Sequence, residues 1–129
     1  MEIEFLTVDV IIEIHQEQIS KTPGEPTTIH SMDRLESAAL APQHAYLYDE
    51  DCTVHTLAAK YVWHLVKAHA FMAGNKRAGM AAGVVFLRLN GYDWNLSDDS
   101  YGKFINRVIA RDVDFDELVN FLETHSRQI

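Results

Sequence analysis

The sequence predicts an all-α protein, a compact single-domain bundle of about six to seven helices. Three observations support this: apolar residues recur at helical spacing, capping and helix-stopping residues separate the helical segments, and strand-like alternation is scarce. The chain has 129 residues, 47% hydrophobic and 23% charged, which suits one globular domain with a sizeable core. We therefore assign residues 1–129 to a single domain, and the weak alternation at residues 3–5 leaves room for a short extended segment.

Caps and breaks mark the first three helices. Thr7 is placed to cap a first helix with apolar residues at i, i+3, i+4 and i+7, and the Pro-Gly-Glu-Pro run at 23–26 ends it. A capping-box spacing at 33–36 opens a short second helix, which we expect to end before Pro42. The third helix is expected over about 52–67, where its apolar content predicts a central position.

The second half of the chain predicts three more helices. After a break at 73–74, an Ala- and Gly-rich helix is expected over Asn75–Leu89, and its small residues would let neighbouring helices approach closely. Ser97 is placed to cap a helix that runs to Ala110. A second capping-box spacing at 114–117 starts the last helix.

Charge and cysteine content exclude several functional classes. The net charge of −8 and a pI near 5.2 oppose binding to nucleic acids and to anionic membranes, so neither is expected as a partner. Cys52 is the only cysteine, so an internal disulfide is impossible. Residues 1–4 lack the basic start of a signal peptide, and the longest mainly apolar run, 78–87, is too short to span a bilayer. We expect a cytoplasmic protein of a prokaryote.

One segment, residues 69–77, indicates chemistry. Gly74 precedes the start of a helix and permits a tight turn, and a helix N-terminus presents unpaired N–H groups to anions. Lys76 and Arg77 add donors for phosphate oxygens. His69 lies near the end of the preceding helix, where it could act as a general base facing the same pocket. The residues alone predict phosphate chemistry on a nucleophilic hydroxyl.

The same segment resembles the signature of the Fic/Doc superfamily. In the Asn-Lys-Arg form typical of death-on-curing (Doc) toxins, that signature is similar to His69-x-Phe71-x-x-Gly74-Asn75-Lys76-Arg77. Residues 34–43 and 86–92 are similar to further segments of Doc-like proteins, so the resemblance covers about residues 5–125. It implies a helical bundle of the Fic/Doc type, with the motif loop and its helix at about 69–90.

The resemblance also implies an activity and a role for each matched residue. Doc toxins transfer the γ-phosphate of ATP to a threonine of elongation factor Tu, which stops protein synthesis. His69 would be the general base on the target hydroxyl, and Phe71 would be a buried anchor of the loop. The nucleotide phosphates would be bound by Gly74, Asn75, Lys76 and Arg77.

The chain departs from the family pattern at position 73, where an acidic residue usually helps to hold Mg²⁺. Ala73 cannot bind a metal, so Mg²⁺ would be held by the phosphates and water, or by acids from another segment such as Asp93, Asp98 and Asp99. Two alternatives to the toxin kinase therefore stay open: a Fic enzyme that transfers AMP or another nucleotidyl group, and a catalytically impaired module that keeps the fold.

Control of the activity is expected to come from a separate protein. The self-inhibitory pattern Ser/Thr-x-x-x-Glu of many Fic enzymes is absent, so we expect a separate antitoxin to dock a helix in a groove of this protein. Arg34 and Glu36 are candidates for the rim where a target docks, or for an intramolecular ion pair or helix cap. The histidines other than His69, including His15, are expected to be structural or solvated.

Overall fold

Six helices and one small antiparallel sheet form the described part of the chain, residues 2–49 and 51–129, in a computed structural model. Both the all-α class and the number of helices are thus confirmed. No helix in these two ranges is long and apolar enough to cross a membrane. The helices are α1 (Val8–Ser20), α2 (Met32–Tyr48), α3 (Val54–Ala68), α4 (Asn75–Leu89), α5 (Asp98–Ile109) and α6 (Phe115–Thr124), and the strands are β1 (Tyr92–Trp94) and β2 (Ser126–Gln128).

The centre of the fold is α3, as its apolar content predicts. It packs against α2, α4, α5 and α6, and it contributes seven buried residues to the core. The pairing with α4 is especially close because two glycines of α4 face valines of α3. A Cβ atom at Gly79 would lie 2.6 Å from Val66 Cγ2, and one at Gly83 would lie 2.5 Å from Val62 Cγ2. The small residues of α4 therefore permit the close approach that the sequence predicts.

The predicted caps of three helices are confirmed. The Thr7 side chain accepts a hydrogen bond from the Val10 N–H (3.2 Å), and that of Ser97 accepts one from the Ser100 N–H (3.3 Å). Asp114 begins α6 with a reciprocal capping box. These local signals are reliable because a cap and the N–H group that it satisfies lie within one helical turn.

The prediction for α2 is wrong at both ends. Ser31, rather than a residue of the 33–36 box, caps the helix by accepting from the Arg34 N–H (3.2 Å). The helix then continues through Pro42 to Tyr48. Proline removes one backbone hydrogen bond, but the Pro42 ring is buried on the same side as Leu35 and two alanines that pack toward the core. Tertiary packing thus overrides the local stop signal.

The small sheet was not predicted. Its strands pair antiparallel, with Tyr92 opposite Gln128 and Trp94 opposite Ser126. Three residues per strand are too few to show a period of two, and the partners lie far apart in sequence. The alternating residues 3–5 form no strand; instead, the Leu6 N–H just after them donates to the buried Tyr61 hydroxyl (2.8 Å).

Candidate functional site

The predicted motif forms a turn between α3 and α4 that is bounded by two left-handed residues. His69 ends α3 at φ 50° and ψ 41°, and its side chain is exposed. Gly74 precedes α4 at φ 78° and ψ 18°. Left-handed backbone is uncommon for residues other than glycine, and histidine is among the residues that tolerate it better than most. Four residues, 70–73, therefore lie between two left-handed positions, and the first of these positions is the exposed His69.

Asn75 holds this turn through its side chain. Its Oδ1 accepts from the Phe71 backbone N–H (3.0 Å), and its Nδ2 donates to the Phe71 carbonyl (2.8 Å). Because both ends of the amide bond to the turn, the side chain shapes the loop rather than facing a ligand. What Asn75 can offer an anion is its backbone N–H.

A loop that follows α1 pairs with the turn as a short antiparallel bridge. The N–H groups of His30 and Ser31 both donate to the Ala70 carbonyl, at 2.7 and 2.9 Å. The Met72 N–H donates to the Thr28 carbonyl at 3.0 Å. The backbone just before Gly74 is therefore tied to a segment about forty residues earlier in the chain.

The N-terminus of α4 has the properties of an anion site. Gly74 provides no side-chain cap, and the first backbone bond of the helix joins the Ala78 N–H to the Gly74 carbonyl (2.9 Å). The N–H groups of residues 75–77 precede that bond, so none of them has a carbonyl four residues earlier within the helix. Together with the positive end of the helix dipole, they favour a phosphate or carboxylate group.

The two cations of the motif point to opposite sides of this helix end. Lys76 lies against α5, where its Nζ is 3.5 Å from the position of a Cβ atom on Gly102. Arg77 faces α1 and the following loop: its guanidinium donates to the Thr22 hydroxyl (2.9 Å) and pairs with the Glu25 carboxylate. The Arg77 charge is thus already balanced by an acidic residue, whereas Lys76 makes no salt bridge among the described residues.

Phe71 is buried, and its ring packs on a histidine of α1. The rings of Phe71 and His15 are stacked with centroids 3.7 Å apart and planes within 5° of parallel. His15 is fully buried, and its Nε2 lies 2.7 Å from the Ala73 carbonyl oxygen. Burial is the largest cause that lowers the pKa of His15 from its ordinary value. The expectation of a structural role for His15 agrees with this burial.

The acids that could replace the one missing at position 73 do not form a cluster within the described part of the chain. Among residues 2–49 and 51–129, no group of three or more His, Cys, Asp or Glu side chains converges in a way that could hold an ion. The acids considered as substitutes have other partners or positions: Asp93 lies 3.6 Å from Arg88, Asp99 lies 3.1 Å from Lys103, and Asp98 lies in the first turn of α5. The described residues therefore contain no preassembled metal site of three or more such side chains.

Arg34, one of the two rim candidates, lines a cavity of about 360 Å³ between α2 and α3. Ala68, which precedes His69, belongs to the same lining, so the cavity lies beside the turn. His64 and Lys67 also contribute to its wall, and burial followed by the charges of two lysines lowers the pKa of His64. Among the described residues, Arg34 makes no salt bridge, so no ion pair of Arg34 is present there.

Sequence reasoning missed the residues from α1 and its following loop that surround the motif. Glu25 lies in the Pro- and Gly-rich run at 23–26 and Thr22 directly precedes it, and for this loop the sequence indicates only a helix stop and a turn near the pocket. His15 lies on the apolar face of α1, and a histidine in an apolar stripe is the one signal that could have singled it out. Nothing in their spacing relates these residues to a motif about fifty positions later.

One comparison with known families gave a match. The family model described as "Fic/DOC family" matches residues 5–87, which include α1 to α3, the whole motif and most of α4. The wider resemblance over 88–125 remains a prediction. No curated protein matched the sequence at the significance that we required.

Proposed function

Because the chain belongs to the Fic/DOC family, whose members are generally transferases, we propose that it is a Doc-like toxin that phosphorylates a translation factor. ATP would be the phosphate donor, and a threonine of elongation factor Tu would be the acceptor. The observation that carries the proposal is the turn at 69–77: an exposed histidine stands at one end, and an anion-binding helix N-terminus with two cations stands at the other.

The proposed reaction needs a base, a phosphate cradle and charge neutralisation. His69 would take the proton of the target hydroxyl while that oxygen forms a bond to the γ-phosphorus. The bond from the γ-phosphorus to the bridging oxygen would break at the same time, and ADP would leave. The N–H groups of residues 75–77 would bind phosphate oxygens, and Lys76 would neutralise charge that develops during transfer.

Arg77 would have to exchange partners before it could assist. In the structure its guanidinium is bonded to Thr22 and Glu25, with a long contact to the Gln18 carbonyl (3.4 Å). A nucleotide phosphate carries more charge than a single carboxylate, and it can accept two parallel bonds from the guanidinium. We therefore expect phosphate to displace Glu25 from Arg77 when nucleotide binds.

Mg²⁺ would accompany the nucleotide rather than reside in the protein. Ala73 supplies no ligand, and the described residues form no acidic cluster that could replace it. Mg²⁺ usually keeps several waters and is often bound mainly through phosphate oxygens, which agrees with a site that lacks a carboxylate. The proposed activity should therefore need higher Mg²⁺ concentrations than a family member with the acid.

Two partners belong to the proposal. The first is the target protein, which would approach the exposed His69 past the α2–α3 cavity that Arg34 lines. The second is a cognate antitoxin, a separate chain with a segment that folds as a helix on this protein in the prokaryotic cytoplasm. A structure of the complex with the product of the neighbouring gene tests the second partner. A complex in which no antitoxin helix lies near the motif would refute it.

The test of the activity uses purified protein, Mg²⁺, elongation factor Tu and ATP labelled at either the γ- or the α-phosphate. We expect γ-label on the factor with the wild-type protein and with His44→Ala, which changes an exposed histidine of α2. His69→Ala should remove the transfer. Transfer of the α-label instead would establish nucleotidyl transfer.

A catalytically impaired module is the second candidate, and two observations favour it. Position 73 is an alanine rather than the usual metal-binding acid, and the Arg77 guanidinium already pairs with the Glu25 carboxylate. In that case, neither label would reach the factor even at high Mg²⁺ concentrations, although the protein would be folded and the factor active. Binding of ATP without transfer would then define the module as a nucleotide-binding protein.

A further inference from the structure

His15 combines complete burial with one polar contact to the motif. Its ring has no exposed surface, it stacks on Phe71, and its Nε2 lies 2.7 Å from the Ala73 carbonyl oxygen. The other ring nitrogen, Nδ1, is buried and has no hydrogen-bond partner among the described residues. Burial of a polar side chain costs free energy unless a hydrogen bond compensates for the lost water. The one hydrogen bond of His15 is therefore important to the fold or to the site.

The partner of Nε2 determines the protonation state of the ring. A carbonyl oxygen only accepts hydrogen bonds, so Nε2 must carry the proton. A second proton on Nδ1 would place an unpaired charged donor in the core, and burial accordingly lowers the pKa of His15. Of the charged groups nearby, Arg77 lowers that pKa further and Glu25 raises it, as does the bond to Ala73. The ring is therefore a neutral Nε2–H tautomer.

The bond acts on the peptide that begins the anion site. Ala73 and Gly74 share a planar peptide unit, so fixing the carbonyl oxygen also fixes the direction of the Gly74 N–H. The surroundings leave this unit little freedom: a Cβ atom on Gly74 would lie 2.7 Å from Ile19 Cδ1 and 3.4 Å from His15 Nε2. Through these contacts α1 constrains the peptide unit that precedes α4.

We infer that His15 is a positioning residue of the phosphate-binding turn, whose Nε2–H holds the Ala73 carbonyl and thereby sets the N-terminus of α4 for a nucleotide phosphate. The inference rests on the proposed function for its ligand, but the positioning itself is a property of the folded protein. It makes α1 part of the binding machinery without contact between His15 and the nucleotide.

The first test is the ring itself. Long-range ¹H–¹⁵N correlation spectra of the whole chain at neutral pH should show His15 protonated at Nε2 and unprotonated at Nδ1. The signature does not depend on any ligand. A ring protonated only at Nδ1 would overturn the inference because Nε2 could then not donate to the Ala73 carbonyl.

The second test separates the hydrogen bond from the packing with two substitutions. His15→Phe keeps an aromatic ring to stack on Phe71 but lacks the donor, whereas His15→Gln keeps an N–H donor but lacks the ring. We expect His15→Phe to weaken ATP binding about tenfold, the equivalent of one lost hydrogen bond. His15→Gln should keep most of the wild-type affinity for ATP. The backbone amide signals of residues 73–77 should shift more in His15→Phe than in His15→Gln.

The opposite order would overturn the inference, because a histidine that only fills space is replaced better by phenylalanine. His55→Phe is the matched control: His55 is a half-buried histidine that bonds Ser126, and its loss should leave ATP binding unchanged. A wild-type protein that binds no ATP would refute the proposed function alone. The ring tautomer and the amide shifts would then still decide the role of His15.

Discussion

The interface between α3 and α4 and the surroundings of the motif are held by different kinds of contact. Between the two helices, the glycines at 79 and 83 let valine side chains of α3 pack closely against α4. Many buried apolar residues contribute to the core around them. Around the motif, single polar contacts join segments far apart in sequence, such as His15 with Ala73 and Glu25 with Arg77. Removing one contact should therefore cost stability in the first region and function in the second.

The largest expected effect is on the core side of this comparison. Phe86 of α4 is fully buried and packs on the rings of Tyr61 and Phe5, with centroids 5.1 and 6.2 Å away. Phe86→Ala should lower the free energy of unfolding by about 3–5 kcal/mol, because it removes buried area and leaves a cavity. Urea denaturation followed by circular dichroism measures this change.

The matched control lies three residues later on the same helix. Leu89 is 51% exposed, so Leu89→Ala should change the free energy of unfolding by no more than about 0.5 kcal/mol. Equal losses from Phe86→Ala and Leu89→Ala would contradict the assignment of the core to the buried face of α4.

Gly74→Ala should have the next largest effect, since the motif turn depends on this glycine for both conformation and space. Left-handed backbone costs alanine about 1–2 kcal/mol, and the methyl group would also displace Ile19 Cδ1, which adds a smaller cost because that atom ends a flexible side chain. Gly24 is the control, because it has a similar φ of 87° but nothing within 4 Å of the added carbon. Similar unfolding free energies for the two variants would show that α1 does not crowd the turn.

The sequence predicts the parts of the molecule that depend on local or periodic signals. Thr7, Ser97 and Asp114 cap their helices as expected, and the start of α4 at Asn75 follows from the preceding glycine. It fails where distant packing decides. Pro42 is tolerated because its ring is buried, and no local pattern reports that burial.

The candidate site divides in the same way. The turn, its left-handed glycine and the helix N-terminus follow from the motif itself. The partners of the motif do not: Glu25 reaches Arg77 and His15 reaches Ala73 only after α1 has packed beside α4. A single sequence contains no spacing rule for such contacts, because they depend on the placement of two helices in space.

The pH dependence of stability tests whether folded His15 is neutral. Because the pKa of folded His15 is below its ordinary 6.5, the unfolded chain binds more protons, and stability falls as pH drops below 6.5 toward the folded value. The pKa values of His55 and His64 are also lowered by burial and act in the same direction. His15→Phe should therefore lose less stability than the wild type between neutral and mildly acidic pH. Parallel losses in the two proteins would contradict the lowered pKa.

The smallest effect on stability is expected from the ion pair between Glu25 and Arg77. Glu25 and Arg77 are each one-third exposed, so Glu25→Gln should lower the free energy of unfolding by no more than about 1 kcal/mol. Asp99→Asn breaks the far more exposed pair with Lys103 and should change it even less. Both differences should shrink in 1 M salt.

The same substitution should have a larger effect on nucleotide binding than on stability. Glu25→Gln removes the negative charge that competes with phosphate for Arg77, so ATP should bind more tightly to the variant than to the wild type. Asp99 pairs with Lys103 and does not compete for Arg77, so Asp99→Asn should leave ATP affinity unchanged. Weaker ATP binding by Glu25→Gln would mean that the carboxylate orients Arg77 for the phosphate rather than competing with it. The polar contacts around the motif would then preform the phosphate site, just as apolar packing determines the α3–α4 interface.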